Sequence, residues 1–196
     1  MSEQKRSLWE RLLFSETLAG KKDSHKIAYI AVMTAFTVIV NMFFEFKLAE
    51  TQFSLTLAAS ILTGILLGPI FGFTACFLGD LVGFLYNSAG FMYMPWVGVS
   101  LGLAAVISGL ASNIRVGKKW GMYLKLALIC ESTFLLCTVA INTTAFWLLY
   151  SKVDYITYLV SRLFVQGQIW NSLGNYALLF VVMPTLVKIK ALKIKF

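Results

Sequence analysis

Charged residues are scarce in this chain. Asp, Glu, Lys and Arg make up 13% of its 196 residues, against about 25% in an ordinary soluble domain. Hydrophobic residues make up 59%, and the mean hydropathy is +0.78. Because so little charge cannot supply the water-facing surface of a soluble protein, the composition excludes that class and predicts an integral membrane protein.

Histidine and cysteine, on which many catalytic and metal sites depend, are also few. The one histidine, His25, lies near Asp23 at the edge of an apolar run. The three cysteines lie inside apolar runs without metal-ligand spacing, which predicts small buried side chains. The sequence contains no HExxH motif, nucleophile elbow or phosphate-binding loop. We therefore expect no catalytic residue, no metal ion and no cofactor, in a protein that is not an enzyme.

Six long apolar runs are what the sequence has instead. Backbone polar groups cannot stay unpaired in lipid, and these runs lack the alternation of barrel strands, so all six are predicted to be α-helices. Six spans need about 120 residues. We therefore expect an all-α bundle that forms a single membrane domain over residues 1–196. The predicted spans are residues 27–44, 53–67, 70–86, 94–112, 122–150 and 167–187.

The basic residues indicate how the bundle is oriented. The chain has 17 Lys and Arg against 9 Asp and Glu, and all but three of the basic residues fall on one side of the six-span pattern. Because cytoplasmic segments carry the excess of Lys and Arg, both termini are predicted to be cytoplasmic. This placement explains the net charge of +8 without nucleic acid. Residues 1–25 lack a signal-peptide core and are predicted to lie in the cytoplasm or on the inner leaflet.

Three pairs of glycines are spaced four residues apart. Small residues at this spacing let helix backbones approach closely, so we expect tight helix packing around them. The pairs are Gly64 with Gly68, Gly79 with Gly83, and Gly98 with Gly102.

Polar residues inside the spans are candidate site residues, because placing them in lipid is costly. On the fifth span Glu131, Thr138 and Asn142 are spaced to share one face of an α-helix. Asn142 lies in the outer half and is a candidate ligand residue, whereas Glu131 is interpreted as a structural carboxyl group. Asp80, in the third span, is interpreted as a partner in a structural network, with proton coupling as the alternative.

Two polar stripes lie around the start of the sixth span. Residues of the first repeat every four positions and share a face if the last helix begins early. The second stripe lies on a different face, and the sequence does not say which stripe faces a cavity. Arg162 suits bidentate capture of a carboxylate, with snorkelling to the membrane interface as the alternative. The first stripe is Arg162, Gln166 and Trp170, and the second is Gln168, Asn171 and Asn175.

A proline marks the outer start of the fourth span, in Tyr93-Met94-Pro95-Trp96. Proline is favoured at the first helical position, and an outward helix N-terminus favours an anion. Tyr93 and Trp96 are candidates for stacking on a flat heteroaromatic ligand, with the aromatic belt of the membrane interface as the alternative. Lys47, in the first outer segment, is a candidate second positive contact.

Short motifs along the chain resemble those of one transporter family. They are Ala31-Val32-Met33-Thr34-Ala35, Gly68-Pro69-x-x-Gly72, Gly79-Asp80, Gly90-x-x-Tyr93-x-Pro95-Trp96, and the segment from Arg162 to Pro184. With the length, the six spans and the basic loop after the fourth span, these motifs make the chain similar to the S components of energy-coupling factor (ECF) vitamin transporters. S components are the substrate-binding membrane subunits of those transporters. Within the family, the likeness is to the folate-specific branch.

The resemblance implies a bundle in the bacterial plasma membrane that captures folate outside and delivers it through an ATP-driven transporter. It implies that a transmembrane coupling protein and two cytoplasmic ATPases complete the transporter, with Ala31 and Ala35 as the docking surface for the coupling protein. The residues predicted to bind substrate are Lys47, Tyr93, Trp96, Asn142, Arg162, Gln166, Trp170 and Asn171.

Two other interpretations stay open from the sequence. One is an S component for another vitamin or precursor, such as riboflavin, pantothenate or a queuosine precursor. The other is a proton-coupled secondary transporter in which Asp80 and Glu131 form a relay, although the chain shows no inverted repeat or pair of broken helices.

Overall fold

The structure is a computed structural model of a helical bundle with one short β-hairpin. It describes residues 8–19, 21–48, 51–86, 92–114 and 119–189. Gly90 and several of the basic residues counted above lie outside the described residues. The helices are α1 (Leu8–Leu13), α2 (Glu16–Ala19), α3 (Asp23–Phe43), α4 (Thr56–Leu67), α5 (Pro69–Tyr86), α6 (Pro95–Ser112), α7 (Lys119–Thr133), α8 (Thr144–Tyr150), α9 (Tyr155–Val160) and α10 (Gln168–Lys188). The strands are β1 (Glu45–Leu48) and β2 (Thr51–Ser54), and two π-helical segments are π1 (Phe134–Thr143) and π2 (Ser161–Val165).

Five of the helical runs are long and apolar enough to cross a membrane. They are Asp23–Phe43, Pro69–Tyr86, Pro95–Ser112, Trp120–Tyr150 and Gln168–Lys188. The remaining predicted span, residues 53–67, contains α4, which has 12 residues. A helix of that length is about 18 Å long, and the hydrocarbon core is about 30 Å thick. The second helix is therefore shorter than the hydropathy pattern predicts.

The described elements are helical, as predicted for an all-α bundle, apart from one short β-hairpin between α3 and α4. β1 pairs antiparallel with β2, in a register that sets Glu45 opposite Ser54 and Lys47 opposite Gln52. Polar and apolar residues alternate through β1, which is the two-residue period of a sheet rather than the 3.6-residue period of a helix. Part of β2 takes up residues that hydropathy assigns to the second span, and α4 consequently starts only at Thr56.

The segment between the last two spans is helical over α9 and π2, which hydropathy does not predict. Asp154 caps α9, because its carboxylate accepts the backbone N–H of Thr157 at 3.0 Å. This hydrogen bond lowers the pKa of Asp154. Gly167 follows with a φ of 71° and separates π2 from α10. The last transmembrane helix therefore does not begin early.

The turn between α4 and α5 is made by a glycine and a proline. Gly68 has a φ of 101°, a conformation that side chains with a Cβ rarely adopt. Pro69 follows at the first position of α5, where its missing N–H costs nothing. The chain can therefore reverse within two residues, which keeps α4 and α5 adjacent.

The glycine pairs pack closely, as their spacing predicts. Each lies where a Cβ would meet a neighbouring segment: Gly64 against α6, Gly68 against residues 14 and 15, Gly79 and Gly83 against Thr37 and Asn41 of α3, and Gly98 and Gly102 against Phe77 and Phe73 of α5. We call the contact of Gly64 and Gly72 with Ala105, and of Gly109 with Pro69, the glycine-packed region. It joins α4, α5 and α6 at backbone distance.

The amino-terminal helices pack against the turn at Gly68. Phe14 stacks on Phe71 with ring centroids 5.0 Å apart, and the Ser15 backbone N–H donates to the Leu67 carbonyl at 3.1 Å. Leu18 has no exposed surface. We call this the capped end of the bundle, and the opposite end, which carries the hairpin, α9 and the start of α6, the hairpin end.

Candidate functional site

An aromatic cluster lies at the hairpin end, where α6 faces α8. The Trp96 ring meets the Phe146 ring edge-on, with centroids 5.7 Å apart at 87°, and the Tyr150 ring lies 6.5 Å away. The Arg162 guanidinium lies over the Phe146 ring, with Cζ 4.1 Å from the ring centroid, in cation–π geometry. We call these four residues together with Ser100 and Asn142 the aromatic site.

Asn142 joins the same site from π1. Its amide Nδ2 donates to Ser100 Oγ at 2.9 Å, and Ser100 Oγ donates to the Val97 carbonyl. Trp96 and Ser100 are four residues apart on α6, and Asn142 and Phe146 are four residues apart across π1 and α8. Residues at this spacing lie on the same side of a helix, so the pair on α6 faces the pair on π1 and α8.

Three polar atoms in the aromatic site are buried without a protein partner among the described residues. They are the indole Nε1 of Trp96, the amide Oδ1 of Asn142 and the guanidinium Nε of Arg162. Leaving such an atom unpaired costs about 1–3 kcal/mol, which proteins rarely tolerate without a functional reason. The set offers a ligand two donors and one acceptor beside aromatic rings.

Arg162 brings a positive charge into this apolar surrounding. Burial lowers the pKa of Arg162, and nearby Tyr158 partly offsets the effect. An arginine guanidinium nevertheless stays protonated at neutral pH. Its Nη1 donates to Gln166 Oε1 at 3.4 Å, which brings Gln166 to the edge of the site. The charge can therefore meet an anionic group of a ligand.

Tyr93 packs against α5. Its ring lies 5.2 Å from the ring of Phe84, and its hydroxyl is buried without a protein partner among the described residues. Asp80, also on α5, accepts the Nδ2 of Asn41 through Oδ1 at 3.3 Å, which links α5 to α3. Burial raises the pKa of Tyr93, which keeps its hydroxyl neutral.

The other predicted ligand residues lie apart from this cluster. Trp170 is 60% exposed on α10, because Gly167 breaks the stripe that would have joined it to Arg162. Asn171 accepts the Ser54 N–H at 3.0 Å and so holds the hairpin. Lys47 lies in β1, opposite Gln52. As substrate ligands, these three residues stay predictions.

The second polar stripe faces into the bundle and is structural in the described residues. Asn175 is 1% exposed. Its Oδ1 accepts the Ala58 N–H at 2.9 Å, and its Nδ2 donates to the Ser54 carbonyl at 2.7 Å. Asn171 and Asn175 together therefore clamp the end of β2 and the start of α4 to α10.

Glu131 does not share a face with Thr138 and Asn142, so that prediction is wrong. Glu131 is exposed on α7, Thr138 is buried and Asn142 is half-buried. The spacing assumes 3.6 residues per turn, whereas π1 closes hydrogen bonds over five residues and turns more slowly. Thr143 Oγ1, for example, donates to the Thr138 carbonyl five residues back.

Sequence reasoning missed four members or neighbours of the site: Ser100, Phe146, Tyr150 and Tyr158. A signal existed for two of them, because Asn142, Phe146 and Tyr150 recur every four residues. Aromatic residues are common in membrane spans, so this pattern did not separate site rings from packing rings. In the structure, contact with Trp96 and Arg162 distinguishes the rings of the site from rings that only pack.

Ala31 and Ala35, the predicted docking residues, lie on an exposed face of α3. Within its span, 17% of α3 is buried, compared with 50% of α6. Their neighbour Val32 is 66% exposed, so bulky and small apolar residues together form a surface that faces away from the bundle.

The three cysteines, Cys76, Cys130 and Cys137, are buried, as their apolar surroundings predict. In the part of the chain that the structure describes, no three His, Cys, Asp or Glu side chains come together in a way that holds a metal ion. The aromatic site itself offers hydrogen-bonding groups, aromatic rings and the Arg162 guanidinium.

Comparison with known proteins adds a family and a fold. The family model for the ECF-type riboflavin transporter, S component, matches residues 21–193. Among solved structures, the crystal structure of FolT bound with folic acid matches with a TM-score of 0.60 and 21% sequence identity, covering 79% of this chain and 91% of that chain. This likeness concerns the fold. No curated protein matches the sequence.

Proposed function

The chain belongs to the ECF-type riboflavin transporter S component family, and from this premise we propose that it binds folate in the aromatic site. As a member of that family, it is a multi-pass membrane protein and the substrate-binding component of a vitamin transporter. Folate as the vitamin is our inference from the chemistry of the hairpin end.

The observation that carries the proposal is the set of unpartnered polar atoms on Trp96, Asn142 and Arg162. A pterin ring is flat and presents a carbonyl oxygen beside ring N–H and amino groups. The Trp96 N–H matches the carbonyl, and Asn142 Oδ1 matches an N–H donor. The rings of Phe146 and Tyr150 offer apolar surface for the heterocycle.

Arg162 favours folate among flat heterocyclic vitamins. The glutamyl tail of folate carries two carboxylates, and a buried guanidinium binds a carboxylate through charge-assisted hydrogen bonds. Gln166, which already contacts Arg162, is positioned to take part. Lys47 in the hairpin is a further candidate for the tail.

Riboflavin is the second candidate, because the matching family model is that of a riboflavin transporter component. Its isoalloxazine ring has a similar pattern of carbonyl and N–H groups, so Trp96 and Asn142 serve either vitamin. Its ribityl tail, however, has hydroxyl groups and no carboxylate. The dependence of binding on Arg162 therefore separates the two candidates.

For transport, we propose that the hairpin end faces outward and that both chain termini lie in the cytoplasm of a bacterial cell. The exposed face of α3 around Ala31 and Ala35 would then dock on the transmembrane coupling protein. Two cytoplasmic ATPases would supply ATP hydrolysis, so this chain would bind substrate without catalysing a reaction.

The test is ligand titration of the purified chain in detergent. Folate, riboflavin, thiamine, biotin and pantothenate are each titrated against the wild type, followed by a tail-less pterin. We expect one-to-one folate binding without ATPases. Tight binding of riboflavin and none of folate would overturn the folate proposal and favour the second candidate.

A matched pair of measurements tests the assignment of the tail. The variant Arg162→Gln should weaken folate binding and leave binding of the tail-less pterin unchanged, because only folate presents carboxylates to that position. Equal loss for both ligands would contradict the assignment of Arg162 to the tail.

A further inference from the structure

We propose that α9 and π2 form one helix that lies in the membrane rather than in water, with lipid acyl chains against its outward face. The helix, Tyr155–Val165, is apolar but shorter than a membrane span, with six residues in α9 and five in π2. It is about 16 Å long at most, roughly half the thickness of the hydrocarbon core. Because it cannot cross the bilayer, the alternative to water is a position at the membrane interface.

The outward face of this helix is apolar. Ile156, Val160 and Phe164 are each more than half exposed. They are spaced four residues apart, so they lie on one side of the helix. The other exposed residues of the helix are Thr157 and Val165. A contiguous apolar surface of this kind is unfavourable in water and suits contact with lipid.

The opposite side of the helix carries polar groups. Tyr158, Arg162 and Gln166 also recur every four residues, and each is partly buried. The Arg162 guanidinium lies over the Phe146 ring and donates to Gln166 Oε1. A surface helix of a soluble protein has the reverse arrangement, with its apolar side toward the core. Polar residues inside and apolar residues outside are the arrangement of a helix that lies between a polar site and lipid.

Contacts with α8 place the helix at the depth of a membrane span. The Tyr155 hydroxyl lies 3.3 Å from Thr144 Oγ1, and seven residues further along, Arg162 lies over Phe146. Both partners belong to the membrane-spanning run Trp120–Tyr150, and they lie six and four residues before its end. Because both ends of the helix meet the same turn of α8, the helix crosses α8 at this depth instead of rising away from it.

The outward face continues the exposed apolar surfaces of the helices on either side. Leu148 and Leu149 are exposed near the end of α8, and Trp170 and Leu173 are exposed near the start of α10. Both α8 and α10 belong to membrane-spanning runs, so these side chains face lipid. The apolar surface extends from α8 across α9 and π2 to α10, which indicates that the same bilayer covers all of it.

The first measurement is the reaction of single introduced cysteines with a charged, water-soluble maleimide, in the full chain reconstituted in vesicles of phosphatidylcholine and phosphatidylglycerol. Ile156→Cys, Val160→Cys and Phe164→Cys should react at least about tenfold more slowly than Lys152→Cys, because apolar surroundings disfavour the reactive thiolate. Lys152, exposed in the turn before α9, is the matched control position. The three native cysteines are buried, so the wild-type chain gives the background.

The second measurement distinguishes lipid from protein as the group that covers this face. Each introduced cysteine is labelled with a fluorophore in detergent before reconstitution, and the vesicles contain phosphatidylcholine with a nitroxide on its acyl chain. The nitroxide should quench the fluorophores at positions 156, 160 and 164 and leave the one at position 152 bright, because quenching requires contact at the depth of the acyl chains. A second copy of the chain on this face would slow the maleimide but keep the nitroxide away.

Reaction of the three helix cysteines as fast as Lys152→Cys would place the helix in water and overturn the proposal. Slow reaction without nitroxide quenching would also overturn it, since protein rather than lipid would then cover the face. Slow reaction with quenching is the expected result. Both measurements are made without ligand, so a failure of the folate titration would leave this result standing.

Discussion

The glycine-packed region and the aromatic site lie on the same helix, α6, and are built in opposite ways. In the first, Ala105 and Ser108 have no exposed surface, and the Ser108 hydroxyl bonds back to the Ala105 carbonyl of its own helix. In the second, large rings and a guanidinium surround polar atoms that have no protein partner. Small residues pack closely along one half of α6, and the other half carries candidate ligand-binding side chains.

The contrast teaches which part of the molecule sets its shape and which part sets its ligand. Backbones in van der Waals contact leave no room to adjust, because packed interiors do not deform continuously. The aromatic site is bounded instead by two π-helical segments, π1 and π2, a geometry that recurs at functional sites. Changes in the first region should therefore affect folding, and changes in the second should affect binding.

The largest effect should come from adding one methyl group in the glycine-packed region. In Gly64→Ala, the new Cβ would overlap the backbone of Ala105 and the hydroxyl of Ser108. We expect a loss of about 3 kcal/mol or more in unfolding free energy, measured as a fall in melting temperature in detergent. Gly174→Ala is the matched control, because its Cβ would lie 3.7 Å from the nearest atom. An equal fall in melting temperature for Gly64→Ala and Gly174→Ala would contradict the close packing at Gly64.

A large effect of a different kind should follow at the exposed face of α3. Ala31→Trp and Ala35→Trp should reduce folate uptake by cells to background while the folate Kd of the purified chain stays unchanged, because a bulky ring blocks helix docking. Val181→Trp places the same ring on another exposed membrane face, on α10, and should leave uptake intact. Normal uptake by the two alanine variants would contradict the docking role.

Within the aromatic site, Arg162→Ala should weaken folate binding by about 10- to 100-fold, the cost of one or two charge-assisted hydrogen bonds. The melting temperature should fall less than in Gly64→Ala, since this guanidinium makes a cation–π contact with Phe146 and a long side-chain hydrogen bond to Gln166. Calorimetric titration and a thermal melt of the same sample measure both. Lys152→Ala, at an exposed lysine between α8 and α9, should change neither. An unchanged folate Kd in Arg162→Ala would place the tail elsewhere.

The smallest effect should be the pH response of α9. The Thr157 N–H lowers the pKa of Asp154 in the folded chain, so its cap stabilises α9 above the ordinary pKa of an aspartate. That contribution is lost as the pH falls through the lowered folded-state value. The protection of the α9 amides against hydrogen exchange, corrected for the pH dependence of the intrinsic exchange rate, should therefore fall more between about pH 5 and about pH 3 in the wild type than in Asp154→Ala. An equal fall in both would show that the cap does not titrate there.

Much of the fold was predictable because its causes are local. The predicted spans 70–86 and 94–112 nearly coincide with α5 and α6, since a proline starts each helix and long apolar runs continue them. The hairpin had a local signal in β1, where polar and apolar residues alternate. The π-helical segments had none: an α-turn and a π-turn need the same residue types, and packing of the whole helix selects between them.

The residues of the candidate site also divide into those that local sequence singles out and those whose role depends on packing. Trp96, Asn142 and Arg162 stood out in the sequence because polar or amphipathic groups in apolar surroundings need a reason to be there. Trp170 and Asn171 stood out equally, yet one faces outward and the other holds the hairpin. The type of side chain does not account for this difference. The break in the helix at Gly167 and the hydrogen-bond partners across the bundle account for it.

By itself, the sequence determined that this protein is a helical bundle in a membrane, because apolar length acts residue by residue. Only the tertiary structure decided that Asn142 meets Ser100, 42 residues earlier, and that Arg162 lies over Phe146. Those contacts join different helices whose faces are rotated by π1 and π2. A rotation of this kind is the sum of packing along the whole helix, which no local pattern of residues encodes.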